Sequence, residues 1–339
     1  MNNRKQVLAI LICTVILTLL IIDTSTAVAG ANEGVALCIK VIIPSLFPFF
    51  LVTTYMNSLL PGVDIPGICM LGRFLHFPQG SEPLLVLGLL GGYPVGAKLI
   101  GDAFTQKKID KRTGQILLGY CNNAGPAFIF GVAGRLFSNL YVPVCLWLIH
   151  ILSAIITGLI LPKPNASVAS TDKQKVITIP EALHKSTSVC ICVCGWVIIF
   201  KIIMTYITVY LDSYISKFFM IIVTGVLELS NGCLMLTEIN TEPIRFLLCS
   251  AFFALGGLCV ALQTISVTGA LKWGLYIPGK IIQTCISLLL SVLYIQLLYP
   301  NERIKLEICG ILIGISLFII AGIKRTAEKS CGNLKCNHV

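Results

Sequence analysis

Charge is what this chain has least of. Asp, Glu, Lys and Arg make up 12% of its 339 residues, whereas hydrophobic residues make up 56%. That balance excludes an ordinary soluble domain, about a quarter of whose residues are charged, and indicates a polytopic membrane protein. Acids are scarcer than bases, 15 against 25, for a net charge of +10. The excess does not indicate nucleic-acid binding. The basic residues fall between apolar segments, as topology signals do, and leave no basic face or aromatic reading surface. Histidine is nearly missing, and the four present are too scattered to build a hydrolase triad. No phosphate-cradling Gly-rich loop ending in Gly-Lys-Ser/Thr, no His-Glu-x-x-His helix and no paired-cysteine zinc spacing occurs, so ATP hydrolysis and zinc chemistry have no support. The chain is not expected to be an enzyme.

Cysteine, by contrast, is plentiful, with fifteen. Most lie inside apolar runs (Cys190, Cys192, Cys194, Cys249, Cys259, Cys285), where they act as small hydrophobes. Cys331, Cys336 and His338 in the tail fit no common zinc spacing and read as a reduced, disordered end. At the other terminus, Arg4-Lys5, the apolar run 7–22 and Ala27-Val28-Ala29 resemble a secretory signal. The run is long for a signal and slightly short for a span, and a retained first helix is expected.

Ten apolar segments can be marked: 7–22, 34–60, 84–104, 113–137, 141–161, 188–210, 215–236, 244–268, 273–299 and 306–323. If all ten spanned the membrane, Lys and Arg would divide almost evenly between its faces, against the positive-inside tendency. If 84–104 and 215–236 are instead re-entrant hairpins, sixteen of the basic residues fall inside and five outside. The five are Arg135, Lys217, Arg245, Arg303 and Lys305. Both hairpin segments make poor continuous helices. The first carries Gly91-Gly92-Tyr93-Pro94, and the second Glu228-Leu229-Ser230-Asn231-Gly232. Irregular backbone at membrane depth is tolerated only inside protein or along a cavity, so both are candidate binding elements.

A repeat supports the same topology. Residues 132–143 return as 267–278, with Val132/Val267, Gly134/Gly269, Leu136/Leu271, Leu140/Leu275, Tyr141/Tyr276 and Pro143/Pro278 identical. One copy begins a span from outside and the other from inside. The expected fold is all-α: about eight transmembrane helices and two re-entrant hairpins in two inverted-topology repeats. Its parts are a signal-anchor-like helix (1–32), a first repeat (33–161), a cytoplasmic linker (162–187), a second repeat (188–299), a C-terminal transmembrane helix (300–323) and a basic cytoplasmic tail (324–339).

The polar residues inside apolar segments are the site candidates. Cys121-Asn122-Asn123-Ala124-Gly125-Pro126 interrupts a span, because Pro126 has no amide for the carbonyl of Asn122. Freed carbonyls and two Asn amides could face a cavity, or could merely satisfy a kink. By the same offset, Gly256-Gly257 is a weak point in a later span, followed by Gln263 and Thr264. Lys98 is a candidate counter-charge for an anion, with snorkelling beside Asp102 as the plainer alternative. Glu228 could couple a proton or cation, accept a hydrogen bond from a solute, or pair structurally. Lys40, Lys201 and Lys280 stand alone in their spans and are expected to snorkel to the interface. His150 is expected to be a packing residue, and Pro44 and Pro48 to bend the span 34–60.

Pro44-Ser-Leu-Phe-Pro-Phe-Phe50, Gly88-Leu-Leu-Gly-Gly-Tyr-Pro-Val-Gly-Ala-Lys98, Cys121-Asn-Asn-Ala-Gly-Pro126, Leu227-Glu-Leu-Ser-Asn-Gly232 and Gly256-Gly-Leu-Cys-Val-Ala-Leu-Gln263 together resemble a known group. They look like the sporulation integral membrane proteins with nucleoside-recognition (Gate) domains, over residues 33–300 or so. The resemblance implies distant kinship with concentrative nucleoside transporters, whose inverted hairpins and broken helices enclose the substrate. It also implies a role in spore formation, where one family member is associated with dipicolinate movement around the forespore. By position, the contacts it implies are Tyr93, Pro94, Lys98, Asn122, Asn123, Glu228, Ser230, Asn231 and Gln263.

The expected function is secondary transport of a small anionic or heteroaromatic solute, dipicolinate first among them. A nucleoside carrier and a non-transporting spore-envelope assembly protein are the alternatives. The partners expected are that solute and the lipid bilayer, with a homo-oligomer left open. No cofactor or metal is expected, and the coupling ion, H+ or Na+, is not fixed. The expected location is a multi-pass cell membrane, such as the outer forespore membrane, with both termini cytoplasmic.

Overall fold

The computed structural model describes residues 3–60, 66–78, 81–164, 176–271, 273–298 and 322. The expected C-terminal helix 300–323 (residue 322 apart), the tail 324–339 and the middle of the linker lie outside the described residues. Within them every regular element is helical, and six helices are long and apolar enough to cross a membrane. The chain is an all-α polytopic membrane protein.

Helix α1 (Asn3–Ile22) meets α2 (Thr24–Leu37) at Asp23, whose carboxylate accepts the amide of Thr26 and the Tyr210 hydroxyl. The described apolar stretch of α1, Gln6–Ile22, is shorter than a full crossing. From α2 the chain runs on into α3 (Ile43–Leu59) through a widened turn at Cys38–Ile42. The cause is local: Pro44 has no amide for the carbonyl of Lys40, and the Ile43 amide reaches back five residues to Cys38. The boundary expected at 32/33 therefore falls inside one continuous crossing, Thr24–Leu59.

A short helix, α4 (Pro66–Phe74), precedes the first hairpin, α5 (Pro83–Gly91) and α6 (Val95–Thr105), which turns at Gly92-Tyr93-Pro94. Next come α7 (Lys111–Cys121) and α8 (Pro126–Leu136), two halves of a crossing broken at 122–125, and the long α9 (Tyr141–Ile160). The same order then recurs. Helix α10 (Ile179–Leu211) is a long crossing, α11 (Lys217–Leu227) and α12 (Leu229–Met235) are a hairpin, and α13 (Glu242–Leu255) and α14 (Gly257–Thr268) are a broken crossing. Helix α15 (Tyr276–Leu298) closes the series. Helix α10 starts nine residues before the expected 188, because Thr178 and Glu181 form a capping box and Pro180 sits in the first turn.

Both hairpins close on glycine. A methyl group on Gly88 or Gly96 would overlap the Cys121 carbonyl, so the two arms of the first hairpin clasp the end of α7. In the second, a methyl on Gly232 would overlap Gly225 across the hairpin. Small residues let backbones touch where lipid offers no hydrophobic drive for helix association. The break between α13 and α14 is made by Gly256 and Gly257, with φ of +75° and +79°, a conformation other residues rarely adopt.

The bundle has two distinct ends. At one, Lys163 meets His76 at 3.0 Å, and the Leu275 amide donates to the Gln115 carbonyl. At the other, Tyr206 and Tyr210 of α10 bind Asp23, while Arg245 binds the carbonyls of Leu136 and Ile239. The two copies of the sequence repeat lie at opposite ends: the α8–α9 loop follows Leu136, and the α14–α15 loop contains Leu275.

Candidate functional site

Three cavities lie in sequence along α10. Lys185 and Val189 line the first, Val193 and Val197 the second, and Lys201, Met204, Thr205, Thr208 and Val209 the third. The antiparallel crossing α2–α3 lines the same three in reverse: Phe50, Thr54, Asn57 and Ser58, then Ile42 and Leu46, then Glu33. From Lys185 to Thr208 a helix rises roughly 35 Å, about the thickness of the hydrocarbon core. The two hairpins face these long helices from across the column.

The central cavity lies between the hairpin turns. Tyr93 from the first hairpin, Glu228, Leu229 and Ser230 from the second, Ala124 and Gly125 from the α7–α8 break, and Gln263 of α14 form its walls. Its free volume is about 40 Å³, room for roughly one to three water molecules. Small-molecule sites usually enclose about 300–1,000 Å³, so this cavity is closed as it stands and must widen to admit a solute. The lining is mostly apolar, with few polar groups converging on it.

Each polar wall is fixed by the end of a helix. Tyr93 is buried, and its hydroxyl donates to the Phe253 carbonyl at 3.1 Å. Glu228 is the N-cap of α12: its carboxylate accepts the amides of Ser230 (3.0 Å) and Asn231 (2.7 Å) and the Asn231 side-chain amide (2.9 Å). Gln263 donates to the Cys259 sulfur at 3.3 Å and is otherwise turned to the cavity.

The two asparagines do not line the central cavity. Asn122 accepts the Ala97 amide (3.2 Å), capping the first turn of α6, and donates to the Thr264 hydroxyl (2.8 Å). Asn123 donates to the Tyr120 carbonyl (2.7 Å) and accepts from Gln283 (2.8 Å) and Lys280 (3.2 Å). Both are wholly buried and hold the break between α7 and α8, while Ala124 and Gly125 beside them form the wall. The Ala124 amide freed by the break donates to His150 Nε2 at 3.1 Å, while the buried His150 Nδ1 has no partner among the described residues.

Lys98 is not brought to the central cavity. Its ammonium pairs with Asp102 on the same helix, and both line the first cavity, beside Gln106 and Lys185. Asn231 faces the third cavity and Pro94 is buried at the hairpin turn. Of the nine expected contacts, the central cavity is lined by Tyr93, Glu228, Ser230 and Gln263.

Two of the lysines expected to snorkel do not. Lys201 pairs with Glu33 at 2.9 Å and reaches Asn231 at 3.4 Å, because α2 and α12 pack beside it. Lys280 is only 1% exposed. Its Nζ donates to Asn123 and to Gln283 (2.8 Å) and lies 5.1 Å from the centroid of the Tyr93 ring. Gln283, three residues on, was the available sequence signal: with Ser287 and Ser291 it continues a polar stripe from Lys280, which marks that face as packed inside protein. Lys40 is exposed, as expected.

These features define a polytopic membrane protein with a cavity column between paired helical hairpins. Part of it is 28% identical over 137 residues to the sporulation integral membrane protein YlbJ of Bacillus subtilis (strain 168). The match covers 38% of this chain and 33% of that protein, so the chain spans about a third of the length of the relative it matches. No protein-family profile and no solved structure matches the chain.

Proposed function

We propose that the protein is a secondary transporter of a small anionic or heteroaromatic solute, dipicolinate first among them, acting during sporulation. The observation that carries this reading is the cavity column. Three cavities stacked over a membrane thickness, with the middle one between two hairpin turns, have the layout of a transport path. An envelope-assembly protein has no evident use for it. The sporulation context rests on the likeness to YlbJ.

In this reading the chain is two units of opposite topology, α2–α9 and α10–α15. The Lys163/Lys185 end is cytoplasmic, since Lys107, Lys108, Lys111 and Arg112 gather there. The first cavity is then the inner mouth and the third the outer one. Once the hairpins part and widen the central cavity, solute occupies it against Tyr93, Ser230 and Gln263. Asn122, Asn123, Pro94 and Asn231 hold its walls, and Lys98 with Asp102 guards the inner mouth. Glu228 shapes the second hairpin turn. Access alternates as the hairpins move against the long helices α2–α3 and α10.

The test is flux into vesicles containing the purified protein, using labelled dipicolinate and labelled uridine with and without a proton gradient. Dipicolinate uptake is expected. Uptake of uridine alone would make the protein a nucleoside carrier, and no flux of either would leave the assembly role.

A further inference from the structure

Lys280 poses a question that the cavity alone does not answer. Three other lysines of the described crossings and hairpins have an account: Lys98 has Asp102, Lys201 has Glu33 and Lys40 is exposed. The Lys280 ammonium is buried and its described partners are neutral: two amide oxygens and the face of a phenol ring. A buried charge with no counter-ion costs stability, and an apolar residue would serve packing better. Lys280 is therefore not explained as glue between α15 and the α7–α8 break.

Its position supplies the explanation. Tyr93 is both the wall of the central cavity and the ring in front of Nζ, so one side chain separates the ammonium from the solute space. On the opposite wall, Glu228 is occupied by three N–H donors at the hairpin turn. Glu228 keeps its charge but has three donors to stabilise it, whereas the described partners of Lys280 are only two neutral amide oxygens and a ring face. The less compensated charge beside the cavity is therefore the cation. Tyr93 is held by one hydrogen bond to Phe253 and packs on Gly256, where a side chain would crowd the ring.

We propose that Lys280 is the charge-selecting residue of the central cavity, screened by Tyr93, and that it recognises an anionic group, a carboxylate, on the solute. This rests on the transport reading above and moves the counter-charge from Lys98 to Lys280. When Tyr93 shifts, the ammonium faces the carboxylate directly, and Asn123 and Gln283 keep it oriented.

The experiment is a binding titration on the full-length protein in nanodiscs with dipicolinate, its uncharged diamide and uridine. Wild type is expected to bind dipicolinate and to discriminate against the diamide. K280M is expected to weaken dipicolinate by about thirtyfold or more, with K280R retaining most of the affinity and diamide binding unchanged. Equal dipicolinate affinity in K280M and wild type would overturn the proposal and leave the transport reading standing. Wild-type binding of none of the three probes would instead remove the solute site itself. Should K280M fail to fold, K280Q, which can keep hydrogen bonds to Asn123 and Gln283, takes its place. Independently of any variant, wild-type protein that binds the diamide as tightly as dipicolinate overturns charge selection.

Discussion

The Lys201 ammonium lies 2.9 Å from the Glu33 carboxylate, joining α10 to α2 at the rim of the third cavity. Glu33 is 60% exposed and lines the third cavity, so water filling that cavity screens the pair and holds its worth to at most about 1 kcal/mol. Glu33→Gln is expected to lower stability by less than that amount in a detergent thermal melt. A loss above about 2 kcal/mol would mean that the pair is desolvated and that the third cavity is closed to water.

The glycine clasp makes a sharper prediction. Gly96→Ala puts a methyl group into the Cys121 carbonyl, which neither backbone can easily yield. Overpacking of this kind costs about 1–3 kcal/mol. Gly195→Ala on α10, with nothing within 4 Å, is the control and is expected to cost nothing. Thermal melts of the two variants compare them directly, and equal stability would contradict the close packing of the hairpin on α7.

Asn122 joins three elements through two hydrogen bonds, to Ala97 and Thr264. Asn122→Ala leaves a buried amide on α6 without an acceptor, at a cost of about 1–3 kcal/mol. Thr264→Val loses the second bond and leaves the cap on α6, so its cost is expected to be smaller. The reverse order would place the main function of Asn122 on α14.

Glu228→Gln replaces one acceptor oxygen with an amide that faces N–H donors. It is expected to destabilise the second hairpin by about 1–2 kcal/mol through the lost cap and to slow flux. Hydrogen exchange at the Ser230 and Asn231 amides checks the structural part; unchanged protection there would show that the cap is dispensable.

Asp23, in the corner between α1 and α2, supplies a pH test. Hydrogen bonds from Thr26, Tyr210 and Ser25 lower its carboxyl to about 2. A depressed carboxyl stabilises the fold above its unfolded value near 3.8 and loses that contribution as pH falls through about 2. The stability difference between wild type and Asp23→Asn is therefore expected to be constant from neutral pH down to about 4 and to close below it. A difference that closed near pH 6 would assign the effect to another group.

Much of this architecture is written in the sequence. Apolar run length is enough to place the described crossings to within about ten residues. Pro126, Gly92-Tyr93-Pro94 and Gly256-Gly257 mark the broken points, because missing donors and left-handed φ interrupt the hydrogen-bond ladder, although a single proline such as Pro48 inside α3 need not end a helix. What a linear reading does not resolve is which polar side chain faces a cavity and which faces another helix. Asn122 and Asn123 look like solute contacts until Ala97, Thr264, Gln283 and Lys280 arrive from distant segments to satisfy them. Lys98 looks buried until Asp102, one turn on, is seen to accompany it to the first cavity. Lys280 looks like an interface lysine because the residues that enclose it come from two other stretches of chain. For Asn122, Asn123 and Lys280 the deciding partners lie more than a hundred residues away, whereas for Lys98 the partner is four residues on.

The claim on which the account stands is that the first and third cavities open on opposite faces of the membrane. Single cysteines at Asn57 and Thr208, in a variant whose accessible native cysteines are serine, can be labelled with a membrane-impermeant reagent in sealed vesicles of known orientation. The account predicts that Asn57 reacts only from the cytoplasmic face and Thr208 only from the other. Labelling of both from one face would contradict it.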